Sequence, residues 1–236
     1  MRLSLGFAAV PRALTALLTA LCLALAACGD DDQGDGSADS SGSTQARTQA
    51  ETSGCKDVPA PAAKPDGGQQ KPNSKLDPGK TYTVTMETSC GTFSFELDQK
   101  TSPNTAASFA SLVKKGFFDG LTFHRIVPGF VIQGGDPTGT GTGGAGYSTR
   151  DVPPRDARYV QGVVAMAKAG NEPAGAASSQ FYVVTGADAG LPPQYALLGK
   201  VTKGLDVVEL IGREGDPATE QPLRPVVIEK ATLEES

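Results

Sequence analysis

From Tyr82 onward, apolar residues recur at every second position, and this period of two is what most restricts the fold. YTVTMET, Tyr82 to Thr88, alternates large apolar side chains with Thr or Glu. After a turn at Cys90 and Gly91, TFSFEL from Thr92 to Leu97 alternates again, which predicts a half-buried β-hairpin. Further strands are expected at Thr122 to Val127, Phe130 to Gln133, Gly162 to Ala167, Gln180 to Thr185, Ala196 to Val201 and Val226 to Leu233. One helix follows Ser102, read as its cap, with Pro103 first inside, Ala106, Phe109, Ala110 and Val113 on one face, and Gly116 beyond its end. A second, shorter helix is expected near Leu205 to Gly212. With 29 glycines and 17 prolines to make turns, this pattern predicts a mainly β domain. Its expected form is a closed eight-stranded antiparallel β-barrel with two capping helices, which leaves no strand edge exposed.

The N-terminus reads as an address. Arg2 and Arg12 precede an apolar run that ends LAAC at Cys28, and the composition then switches to GDDDQGDGSADSSGS. That is the pattern of a secretory signal over residues 1–27, whose 15-residue apolar run, Ala13 to Ala27, is short of the roughly 20 residues that cross a bilayer. LAAC resembles the lipobox of bacterial lipoproteins, in which the cysteine is lipidated and becomes the first residue. Residues 28–75 have almost no large apolar side chains and are expected to form a disordered polar tether. The folded domain is placed at residues 76–236. The resulting location is extracytoplasmic, anchored to the cell membrane by a lipid on Cys28.

Composition removes several kinds of chemistry. Without residues 1–27 the chain has 19 basic residues against 26 acidic ones, a charge of −7, which disfavours nucleic acid as a partner. A single histidine, His124, allows no histidine-pair metal site, and the cysteines lack zinc spacing, so no metal and no cofactor are expected. GxSxG is absent, and strand alternation turns His124 away from Phe123 and Arg125. GTGTGGAGY, Gly139 to Tyr147, lacks the GK[ST] ending of a phosphate cradle and reads as a flexible loop. Once the signal is removed and Cys28 lipidated, Cys55 and Cys90 are the pair left to form a disulfide.

FHRIVPGFVIQGGD (Phe123 to Asp136), GVVAMAKAG (from Gly162), SQFYVVT (from Ser179) and YALLGKV (from Tyr195) together resemble the cyclophilin family of peptidyl-prolyl cis-trans isomerases. The likeness runs from about Tyr82 to Leu233, in the family's order. It implies an isomerase whose substrate groove lies on the barrel's outer surface, with Arg125 as the catalytic residue. Phe130, Val131, Gln133, Met166, Ala167, Lys168, Gln180, Tyr182, Leu191 and Tyr195 are the implied groove residues. Val131 stands where the family often has methionine, Lys168 where it often has asparagine, Tyr182 for phenylalanine and Tyr195 for histidine. The implied partners are proline-containing segments of exported proteins, met by a monomer. A second reading stays open: a lipoprotein that binds proline peptides as chaperone or scaffold, without turnover.

Overall fold

A computed structural model describes residues 54–236. The expected signal, the expected lipidation site Cys28 and the first part of the expected tether lie outside the described residues. Strands β1 (Tyr82–Thr88), β2 (Gly91–Leu97), β3 (Leu121–Val127), β4 (Val131–Gly134), β6 (Val163–Met166), β8 (Phe181–Val184), β9 (Leu197–Lys203) and β10 (Val227–Glu235) close one barrel. Its order is β1-β10-β3-β4-β8-β6-β9-β2, and the β1–β2 hairpin completes the circle. Every pairing is antiparallel, although only β1–β2 and β3–β4 join strands consecutive in the chain. A separate two-stranded sheet pairs β5 (Thr149–Arg150) with β7 (Ala176–Ala177), elements too short to leave a periodic signal.

The inward side chains fill the barrel. Phe93, Phe95, Phe123, Ile126, Ile132, Met166 and Phe181 are essentially inaccessible there. Helix α1 (Pro103–Lys114) adds Phe109, whose ring stacks on Phe118 at 4.5 Å and meets Phe181 edge-on at 5.4 Å. Helix α2 (Leu205–Gly212) contributes Val208 and Ile211. Burial of each large side chain of this kind stabilises the fold by about 1.5–3 kcal/mol. The start of α1 is held differently from the sequence expectation. Ser102 occupies the cap position but its hydroxyl caps nothing; Asp151, from a distant loop, accepts the Thr105 N–H at 2.7 Å. A carboxylate there also complements the helix dipole.

The expected tether ends earlier than residue 75. From Gly54 the chain lies as an extended strap against the domain. Cys55 is disulfide-bonded to Cys90, and Lys56 N–H donates to Ser89 O at 2.8 Å. Farther along, Lys64, Gly67 and Gln69 donate their N–H groups to Pro137, Gly144 and Ala145 carbonyls at 2.8–3.0 Å, and Lys64 Nζ reaches the carbonyls of Phe117 and Asp119. Composition missed this because the strap is held by backbone bonds, which need no large apolar side chains. A Cβ on Gly146 would lie 2.9 Å from Gly67 Cα, so backbone rests directly on backbone here.

Candidate active site

One irregularity in β3 places the arginine. Phe123 pairs with Gly134 but Arg125 pairs with Gln133, so His124 is the extra residue of a β-bulge. Phe123 and Ile126 therefore both enter the core, while His124 and Arg125 both lie outside it. This corrects the expectation that alternation sets His124 on the face opposite Arg125. Burial, the largest effect, pushes His124 below the ordinary histidine pKa; the Arg125 charge pushes the same way, against the Asp136 carboxylate. Both imidazole nitrogens are buried without a hydrogen-bond partner.

Arg125 begins a polar rail along the outside of the barrel. Its Nε donates to Glu220 Oε2 at 2.7 Å and its Nη1 to Gln133 Oε1 at 3.4 Å. Gln133 Nε2 donates to Gln180 Oε1 at 3.0 Å, and Gln180 Nε2 donates to the carbonyls of Gly141 and Gly143 at 3.0 and 2.9 Å. The loop expected to be flexible is thus tied down. Asp136, fully buried beneath it, accepts from Thr138 N–H at 2.8 Å, from Thr138 Oγ1 at 2.9 Å and from Gly141 N–H. Burial alone would raise the Asp136 pKa, but the bonds from Thr138, Gly143 and Gly141 outweigh it and hold the carboxyl below the usual range. Gly135 lets the chain turn into this loop: its φ is +86°, and a Cβ would lie 2.4 Å from Ser179 O.

Beside the rail, a small apolar cluster lies outside the barrel, distinct from the inner core. Val131, Tyr159, Ala165, Tyr182 and Val184 form its floor, with Phe130, Ala167, Leu191 and Tyr195 partly buried against it. The rings of Tyr159, Tyr182 and Tyr195 meet one another at 5.8–6.3 Å, and Tyr159 Oη both donates to Tyr195 O and accepts from Tyr195 N–H. Met166 is a correction. It is 1% exposed and belongs to the inner core, because along β6 Val164 and Met166 point inward whereas Ala165 points to the groove.

Past Gln133 and Gln180 lies a polar cavity of about 560 Å³ that includes Ala167, Lys168, Glu172 and, from the strap, Asp66. Asp66 Oδ1 accepts the Gly144 N–H at 2.8 Å. Lys168 Nζ donates to the carbonyls of Ala169 and Glu172 and lies 5.5 Å from the Tyr195 ring centre. A larger cavity of about 1010 Å³, near Leu76 and β9, contains none of the rail residues.

The bulge thus brings together an arginine, two glutamines and an outer apolar pocket. Tyr159 and Glu220 were missed in the sequence because they sit on irregular segments, Glu220 being 95 residues from the arginine it touches.

An outer groove with an apolar floor and a rail of directed side-chain donors, on a closed barrel, defines a peptide-binding barrel of the prolyl-isomerase class. Residues 83–233 match the model of the cyclophilin type peptidyl-prolyl cis-trans isomerase family, and the chain belongs to that family. A peptidyl-prolyl cis-trans isomerase of Arabidopsis thaliana is 36% identical over 154 residues, which cover 64% of this chain and 92% of the relative. Peptidyl-prolyl cis-trans isomerase B of Bacillus subtilis is 44% identical over 113 residues, 48% of this chain and 77% of the relative. A cyclophilin type isomerase of Cryptosporidium parvum superposes with a TM-score of 0.60 at 27% identity, covering 65% of this chain and 98% of that one. The same protein solved in the presence of the dipeptide Ala-Pro gives 0.59 at 28% identity, covering 64% and 98%.

Proposed function

We propose that the groove isomerises X-Pro bonds of exported polypeptides, with Arg125 as the catalytic residue and a lipid on Cys28 holding the domain at the membrane. The observation that carries the reading is the guanidinium of Arg125 set beside the apolar pocket, two of its nitrogens bonded and Nη2 uncommitted in the described contacts. The proline ring packs on Phe130, Leu191 and the floor of Val131 and Tyr182. Gln133 and Gln180 hold the flanking peptide, with Ala167, Lys168 and Tyr195 along its path.

The chemistry asks for no nucleophile. Rotation about the prolyl amide must give up resonance worth a barrier of about 18–20 kcal/mol, and unaided it takes tens to hundreds of seconds. As the amide twists, its nitrogen regains a lone pair. A hydrogen bond donated by Arg125 to that nitrogen exists only in the twisted form, so it lowers the barrier without tightening ground-state binding. Lowering it by about 7 kcal/mol gives roughly five decades of rate.

The test is a protease-coupled or NMR exchange assay on an Ala-Pro peptide. Wild type is expected to accelerate isomerisation, and Arg125→Ala to lose on the order of 10²-fold in kcat/KM. A wild-type protein that binds the peptide without accelerating it would instead establish the binding-only reading. For the anchor, the full chain expressed in a bacterial host is expected in the membrane fraction, and Cys28→Ala outside it.

A further inference from the structure

Glu220 is the only non-glycine residue with a positive φ, +59°, among the described residues. The surrounding turn holds it there: its N–H donates to Asp216 O at 2.8 Å, and Asp216 N–H donates to Gln221 O at 2.9 Å. The Asp216 carboxylate also accepts the N–H groups of Ala218 and Thr219, at 2.7 and 3.2 Å. The Glu220 carbonyl in turn accepts the N–H of Ile126, the residue after Arg125, at 3.0 Å. One residue therefore grips β3 twice, by its backbone at Ile126 and by its carboxylate at Arg125 Nε, 2.7 Å away.

Fold stability does not account for this arrangement. The side chains of Arg125 and Glu220 are 35% and 45% exposed, a setting in which ion pairs contribute little. Glycine would adopt the same backbone angles without strain. Strained residues that the surroundings hold in place cluster at functional sites. We propose that Glu220 is a positioning residue for Arg125. By fixing Nε it sets the rotation of the guanidinium plane, so that Nη1 meets Gln133 and Nη2 faces the groove. The inference rests on Arg125 acting as the donor to the twisting amide.

The experiment compares the full chain carrying Glu220→Gly, Glu220→Gln, Glu220→Ala or Arg125→Ala with wild type. It reads kcat/KM on an Ala-Pro peptide, peptide affinity by NMR titration, and the melting temperature. Glu220→Gly is expected to melt at or above the wild-type temperature and to bind peptide within about twofold of it, while kcat/KM falls on the order of tenfold through misorientation. Glu220→Gln, which keeps an acceptor for Nε, is expected to retain more activity than Glu220→Gly. Should Glu220→Gly melt lower, Glu220→Ala decides, since it keeps a non-glycine residue at the strained backbone and removes the acceptor: its kcat/KM is expected to fall as in Glu220→Gly, and wild-type kcat/KM in it overturns the proposal. Wild-type kcat/KM in both Glu220→Gly and Glu220→Gln, with wild type active and Arg125→Ala impaired, overturns the proposal. An Arg125→Ala protein as active as wild type overturns the reading of Arg125 itself.

Discussion

Gln133 Nε2 donates to Gln180 Oε1 at 3.0 Å, and this one bond fixes the direction of the whole rail. Because Gln180 turns its amide nitrogen to the Gly141 and Gly143 carbonyls, its oxygen must accept from Gln133. Gln133 in turn must present its own oxygen to Arg125 Nη1. Neither amide can flip without breaking several bonds at once.

Gln180→Ala removes the middle of the rail and leaves two loop carbonyls without their donor. The expected result is a loss of kcat/KM on the order of tenfold, with peptide affinity also reduced because the groove wall loosens. An assay in which Gln180→Ala keeps wild-type kcat/KM would show that the rail does not orient the arginine.

Tyr182 carries a hydroxyl that is buried without a partner, and burial, chiefly, raises its pKa well above the ordinary tyrosine value. Phenylalanine there would remove the unsatisfied group and keep the ring contacts with Tyr159 and Tyr195. Tyr182→Phe is expected to raise stability by about 1 kcal/mol in denaturant unfolding, with isomerase activity retained.

Reduction of Cys55–Cys90, or Cys55→Ser with Cys90→Ser, reopens a loop of 35 residues. The chain-entropy model values that closure at about 3–4 kcal/mol as an upper figure, since the strap can detach while the barrel stays folded. Hydrogen exchange at the amides of Lys56, Gly67 and Gln69 is therefore expected to accelerate before that of the barrel strands. Uniform acceleration across the barrel would contradict this order.

Acid should weaken the fold in two stages. Unfolded histidine takes up its proton near pH 6.5, whereas buried His124 resists it. Its contribution is thus complete above about pH 6.5 and is lost as pH falls from there through its lower folded pKa, at up to about 1.4 kcal/mol per pH unit. Asp136 is the second stage: its folded pKa lies below the ordinary 3.8, so its contribution is present above that value and lost as pH falls through the folded one. Denaturant unfolding between pH 7 and pH 5 reads the first stage, and His124→Gln is expected to flatten it.

The strands and helices were largely legible because each has one buried face, and burial of one face imposes a period. β1 and α2 fall where the periodicity put them, and most other boundaries differ by a residue or two. The bulge at His124 broke the rule that worked elsewhere. Alternation assigns inside and outside correctly only while the register is continuous, and one extra residue in β3 moved Arg125 to the side of His124. Met166 fell to the opposite error: it lies in a motif that resembles a groove segment, yet strict alternation from Val164 directs it inward.

The sequence by itself determined a closed antiparallel barrel with two helices and an isomerase family, because those depend on local periodicity and on motifs within a few residues; the Cys55–Cys90 pair, 35 residues apart, was legible only because so few cysteines leave a choice. Only the tertiary structure decided how the arginine is held. Gln133, Gln180 and Glu220 reach it or its neighbours from β4, from the residue before β8 and from a turn near the C-terminus, and Asp66 braces the far loop from a strap before the family domain begins. Contacts between segments tens of residues apart leave no period in a chain. They exist only once the barrel has closed and brought the segments together.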